Sequence, residues 1–184
     1  MGNKEFLSVV IPHVPGKEHD ERLLECVASL KDYDELIIVT NEIGTLGFTK
    51  AVNTGLSIAR GDYVAVVNND IVLEGNIRDM CKNAVVSPKM NGKEQYFWGC
   101  FFVIPRKVLE TVGYLDEQFY LYCSDTDYVL RCKEARVKVQ SEPSCNVITE
   151  GGRTCTTIPE RTAIEEEDAN KFFTKWGRLP NQAL

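Results

Sequence analysis

Three runs of strand length are apolar almost throughout instead of alternating: FLSVVIP at 6–12, ELIIV at 35–39 and the DYVAVV that begins DYVAVVNND at 62–70. A strand with one wet face alternates polar and apolar residues, whereas an unbroken apolar strand needs cover on both faces. Helical patterns stand between the runs. DERLLECVASLKDY places Leu23, Leu24, Val27, Ala28 and Leu30 at helical spacing, with Asp20 as the expected N-cap. GFTKAVNTGLSIARG puts Phe48, Ala51, Val52, Leu56 and Ala59 on one stripe, with Gly61 as its stop. Strand, helix, strand, helix, strand predicts a right-handed parallel unit. The expected fold is α/β: one Rossmann-like domain over residues 1–184, a mostly parallel central sheet flanked by helices.

Composition excludes several classes. A net charge of -6 and a pI near 5.1 argue against a surface that binds nucleic acid by bulk electrostatics. No apolar run approaches the ~20 residues of a membrane span. The opening MGNKEFLSVVIP lacks a signal-peptide pattern and leads straight into the first strand, so a cytoplasmic chain is expected. Seven cysteines with no C-x-x-C pair read as reduced thiols serving as small core residues, without the spacing of a zinc site.

The third apolar run drives into Asn68, Asn69 and Asp70 before Ile71, Val72 and Leu73 resume. In an open parallel sheet, ligands bind beyond the carboxyl ends of strands. The plainer reading, a turn that caps the strand, fits the same residues. The second half tips the balance. FWGCFFVIPRKVLETVG at 97–113 reads as a strand passing into a helix, with Pro105 at its first turn. YLDEQFYLYCSDTDYVLRCKEA at 114–135 interleaves Asp116, Glu117, Asp125 and Asp127 with Phe119, Tyr120, Leu121 and Tyr122, and its later part looks helical with acids in the first turn. The tail TAIEEEDANKFFTKWG suggests a helix over 162–177. Thr162 and Glu165 form its capping box, and Ile164, Phe172, Phe173 and Trp176 an apolar stripe. That stripe reads as core, with a homodimer contact or an acceptor wall as its other readings.

In order along nearly the whole chain, these segments resemble the family 2 glycosyltransferases of the GT-A fold. SVVIP looks like their first strand, and GFTKAVNTGLSIARGDYVAVVNNDIVL like the central motif that ends in a metal-binding triplet. WGCFFVIPRKVLETVGYLDEQFYLY resembles their acceptor-side segment, SDTDYVLR the element carrying the catalytic base, and NKFFTKWG the C-terminal helix. The resemblance implies transfer of a sugar from a nucleotide-sugar donor, UDP favoured, to an acceptor hydroxyl, the default being a saccharide. Residues 1–75 would hold nucleotide-sugar and metal, and residues 95–160 acceptor and catalysis. It assigns Mn²⁺ or Mg²⁺ to Asp70 and Asn68, a hard cation on oxygen ligands. It places the nucleotide at Pro12, His13, Val14, Thr40, Asn41, Asn53 and Asn69. Asp125 would be the general base, with Asp127 orienting its loop or bonding the acceptor. Trp98, Gly99, Tyr120 and Tyr122 would meet the acceptor. One base without a second carboxylate nucleophile implies inversion.

The chain also departs from that family. Asn68 stands where many relatives have Asp, and Ser124 where an acid usually precedes the base. VTNE lacks the Asp that relatives use toward the nucleobase, and the link to GFTKAVN is short. In VITEGGRTC the metal-binding His of relatives is absent and Glu150 or Thr149 occupies the region; Glu150 reads either as the replacement ligand or as a loop acid in solvent. His13 reads equally as a pocket or a loop residue, and Lys50 as a solvated helix face. These departures motivate an alternative, a non-catalytic descendant that binds nucleotide-sugar. The small size allows another, transfer to a modified base in DNA. A nucleotidyltransferase lacks its Gly-rich phosphate loop.

Overall fold

Strands β1 (Leu7–His13), β2 (Glu35–Thr40) and β3 (Tyr63–Val67) lie side by side and parallel, β1 in the middle. The structure is a computed structural model that describes residues 5–42, 46–151 and 156–183. The start of the chain, the middle of the link after VTNE and most of GGRTC therefore lie outside the described residues. Successive side chains on a strand point to opposite faces. Leu7, Val9 and Ile11 accordingly pack with Cys26 of α1 (Lys17–Ser29) and with Leu30 at its C-cap, while Val10 packs with Val52 and Leu56 of α2 (Gly47–Ile58). The unbroken apolar runs are thus explained by a helix on each face. β2 is the edge strand and only half-buried, with Ile38 exposed.

Four further strands extend the sheet: β4 (Val72–Glu74), β5 (Val85–Met90), β6 (Phe101–Pro105) and β7 (Val139–Ile148). Among the described residues the order is β2-β1-β3-β6-β5-β7-β4. Beyond β3 the sheet is mixed. β6 runs antiparallel to β3 and β5, β7 parallel to β5, and β4 antiparallel to β7. The sequence had marked β6 but not β4, β5 or β7. Helices α3 (Arg106–Val112) and α4 (Ser124–Glu134) join α2 on the second face. Helix α5 (Arg161–Trp176) builds a satellite core in which Phe172 meets Phe119, Leu130 and Ala183.

Three local expectations change. α1 begins at Lys17 with Gly16 as N-cap, and Asp20 reaches back from the first turn to accept the Gly16 N–H at 3.3 Å. α5 begins at Arg161 with Glu160 as its cap, so Thr162 sits inside the helix and its capping box does not form. Leu24 and Phe173 point outward, 69% and 53% exposed. Each follows a buried or half-buried neighbour, and adjacent helical residues lie about 100° apart.

Candidate active site

The carboxyl ends of β1, β2 and β3 form one side of the site. His13 closes β1 and is buried. Its Nδ1 lies 3.0 Å from Asn69 Nδ2 and its Nε2 2.8 Å from Asp20 Oδ1. With the amide donating, Nδ1 accepts, and the proton sits on Nε2 facing Asp20. That hydrogen bond, with the Gly16 N–H, holds the Asp20 carboxyl below its ordinary value. The His13 carbonyl accepts the Asn41 N–H at 2.7 Å, so one residue ties all three strand ends together. Pro12 is half-buried, Val14 buried and Thr40 exposed at the rim.

Besides His13 and Asn69, two more of the expected nucleotide contacts are engaged within the protein. Asn41 donates to the Gly47 carbonyl and accepts from the Leu46 N–H, both at 3.0 Å, which shapes the entry to α2. Asn53 donates to the Leu115 carbonyl at 2.9 Å and to Glu117 at 3.0 Å, and accepts from the Leu115 N–H at 3.0 Å. Its amide bolts the loop after α3 onto α2. Lys50 is exposed on that helix.

The Asn-Asn-Asp triplet follows β3. The Asn68 N–H donates to the Cys100 carbonyl at 2.9 Å, while its Oδ1 is buried without a hydrogen-bond partner among the described residues. Val72 pairs with Ile148 at the end of the β4–β7 ladder, and just beyond it Thr149 Oγ1 donates to the Asp70 carbonyl at 3.1 Å. Asp70 and Glu150 line one open pocket of about 230 Å³ together with Arg22, Glu25 and Thr149. Among the described residues, no three His, Cys, Asp or Glu side chains gather closely enough to hold a metal alone. Asp70 and Glu150 bring carboxylate oxygens, the chemistry of a hard cation, to that pocket, while Asn68 is not among the residues that line it.

Across the turn at Trp98, Gly99 and Cys100 lies the start of α4. Asp125, in its first turn, accepts the Thr126 N–H at 2.7 Å, and burial raises its carboxyl above the ordinary value. Asp127 is wholly buried but compensated by Arg131 Nε at 2.8 Å, Trp176 Nε1 at 2.9 Å and Lys175 Nζ at 2.6 Å. It therefore welds α4 to α5. Burial pushes the Cys100 thiol up to about 12, and the negative charges of Asp70 and Asp125 push it the same way. The 98–100 turn thus meets the residue after β3 through the Cys100 carbonyl and the start of α4 through Gly99.

Trp98 carries a buried Nε1 with no hydrogen-bond partner among the described residues. Tyr120 lies against Gly47, whose backbone φ of 69° and missing Cβ permit that approach. The Tyr122 hydroxyl accepts from Arg161 Nε at 2.7 Å. Between them runs a contact that sequence reasoning missed. The wholly buried Asp168 of α5 accepts the N–H groups of Tyr120, Leu121 and Tyr122 at 2.8–3.1 Å. A signal was present: Asp168 sits four residues after Ile164 and four before Phe172, a lone acid on the apolar stripe.

Residues 16–89 match the family model described as Glycosyl transferase family 2. No curated protein matches the chain. A mannosyltransferase, PcManGT from Pyrobaculum calidifontis, solved with GDP-Man and Mn²⁺, shares the fold at a TM-score of 0.64 and 14% identity, over 98% of this chain and 67% of that one. TarS from S. aureus gives 0.60 at 12% identity, over 91% of this chain and 43% of its own. GalNAc-T7, solved with UDP, GalNAc and Mn²⁺, gives 0.60 at 13% identity, over 81% and 44%. The chain thus spans less than half the length of the last two.

Proposed function

We propose that this family 2 glycosyltransferase with a GT-A fold moves a sugar, with inversion, from a nucleotide-sugar donor to an acceptor hydroxyl, in a reaction that requires a divalent metal. The observation that carries the reading is that one turn, residues 98–100, joins the two elements: the Cys100 carbonyl accepts the Asn68 N–H of the Asn-Asn-Asp triplet, and Gly99 abuts Asp125 of α4. The donor would lie over the ends of β1–β3, walled by His13, Val14 and Thr40, with Asn69 held by His13. We favour a uridine donor bound by a saccharide-extending enzyme. Free thiols at Cys26, Cys81, Cys100, Cys123, Cys132 and Cys145 suit a reducing compartment such as the cytoplasm.

Asp70, Asn68 and Glu150 would hold Mn²⁺ or Mg²⁺. Such an ion, when bound, neutralises the charge that builds on a departing diphosphate. The remaining chemistry belongs to Asp125. The acceptor hydroxyl oxygen forms a bond to the anomeric carbon as the bond from that carbon to the diphosphate oxygen breaks. The hydroxyl proton passes to the Asp125 carboxylate, and nucleoside diphosphate leaves. A carboxyl raised by burial binds that proton more readily than an exposed one. Asp127 is occupied by Arg131, Lys175 and Trp176, and Asp116 by Lys175 and Gln118, so neither serves as a second nucleophile. One available base and no covalent intermediate give inversion.

A ligand that binds only the folded chain raises its apparent stability. UDP-sugars with Mn²⁺ should therefore raise the melting temperature more than other nucleotide-sugars, and added acceptor should release free UDP. A screen in which no nucleotide-sugar shifts melting with either metal would overturn the reading. Binding without release of diphosphate would mark a non-catalytic relative.

A further inference from the structure

We infer that Gly99 is a positioning residue for Asp125: the absence of a side chain at 99 makes the seat in which the carboxylate rests. This rests on the reading of Asp125 as base but makes a separate claim. A Cβ built at Gly99 would lie 1.8 Å from Asp125 Oδ2, 2.6 Å from its Cγ and 2.8 Å from its Cβ. All three distances are far inside van der Waals contact. Rotating the side chain would carry away the oxygen and Cγ but not the Cβ, so the first turn of α4 itself must move. The neighbouring residues leave little alternative space. Ser124 just before Asp125 and Asp127 two residues after it are buried, and Asp127 is pinned to α5 through Trp176 and Lys175.

The same turn sets the distance across the site. Gly99 touches Asp125, while the next residue, Cys100, accepts the Asn68 N–H through its carbonyl. The Phe101 N–H closes the turn onto the Trp98 carbonyl. Residues 98–100 are therefore a spacer between the metal-side strand end and the base. The backbone conformation of Gly99 lies outside the left-handed region, so it is the need for room, not for an unusual φ, that calls for glycine here. Gly99, expected to meet the acceptor, thereby acquires a different role: it decides where the base stands. A base displaced by about an ångström costs on the order of 10²-fold in rate.

The test is a double-mutant cycle of Gly99→Ala with Asp125→Gly, which removes the three atoms nearest to the new methyl. Each variant is followed by melting temperature, by calorimetric donor binding with Mn²⁺, and, where Asp125 is present, by kcat for sugar transfer. Gly99→Ala alone should lower kcat about 10²-fold and lower the melting temperature, with donor affinity unchanged. In the Asp125→Gly background, Gly99→Ala should cost little or none of that melting temperature. An equal loss in both backgrounds, or wild-type kcat in Gly99→Ala, overturns the inference. Asp125→Asn fails separately: if it transfers sugar at the wild-type rate, the base assignment falls while the stability coupling between positions 99 and 125 still stands or falls on its own measurement.

Discussion

The two sides of the cleft are built differently. The side proposed for the donor consists of strand ends, and its polar residues emerge where β1, β2 and β3 stop, tied together by His13, which meets Asn69 from 56 residues away. The side proposed for the acceptor consists of turns and a helix start held by another helix. Asp168 reaches the 120–122 backbone from 46–48 residues away, and Trp176 reaches Asp127 from 49. A site made of strand ends inherits its rigidity from the sheet. A site made of turns has to be braced, and here α5 is the brace. The contrast recurs within α4. Asp125 is desolvated with its ionisation disfavoured, whereas Asp127, two residues on, is buried with its charge fully matched. The first arrangement suits proton transfer and the second suits structure.

The sharpest way to break this comparison is Asp70→Ala. Metal-dependent turnover should vanish, a loss of several kcal/mol of transition-state stabilisation, and calorimetry should show no Mn²⁺-dependent donor binding. Unchanged Mn²⁺ affinity would remove Asp70 from the metal side. Asp125→Asn comes next, with a fall in rate of roughly 10²–10⁴-fold and donor binding intact. Its pH dependence carries two signs. The wild-type rate should fall as pH drops through the raised carboxyl pKa, and the mutant should lose that limb. Stability moves the other way. In the wild type the cost of ionising a desolvated carboxyl is absent below the unfolded-chain pKa and grows as pH rises through the folded one. Asp125→Asn should therefore melt higher than wild type near neutrality and equally in acid; a mutant less stable at neutral pH would contradict the desolvated environment.

Asp168→Ala tests the brace. It leaves three backbone N–H groups without their acceptor, a cost of about 3 kcal/mol, and frees the 120–122 turn. Acceptor KM should rise while donor affinity holds, the reverse of Asp70→Ala. If donor affinity falls as much as acceptor affinity, the two sides are not separately supported. Phe173→Ser is the smallest effect. Its exposed ring should be replaceable within about 0.5 kcal/mol, and a larger loss on thermal melting would mean that the outer face of α5 is covered.

Much of the donor side was legible because its signals are local. An unbroken apolar run followed by Asn-Asn-Asp states both the buried strand and the place where it stops. Other candidate side chains were visible by type but not by engagement. Asn41 and Asn53 look like ligand contacts in the sequence, yet folding turns their amides onto Gly47, Leu46, Leu115 and Glu117. Strands β4, β5 and β7 escaped because VLE is too short to show a period and VVSPKM and VQSEPSCNVI carry proline and scattered polar residues. Their pairing partners lie far along the chain, as when β4 meets β7 some seventy residues later.

By itself the sequence determined the alternation of buried strands and amphipathic helices, the end of β3, and the acids available at the start of α4. Those follow from side-chain period and from the chemistry of neighbouring residues. Only the tertiary structure decided which acid was neutralised and which was left desolvated, that Glu150 lines one pocket with Asp70, and that the room for Asp125 is made by a glycine 26 positions earlier. Charge compensation and steric room are properties of what a side chain meets, and in these cases what it meets arrives from another part of the chain.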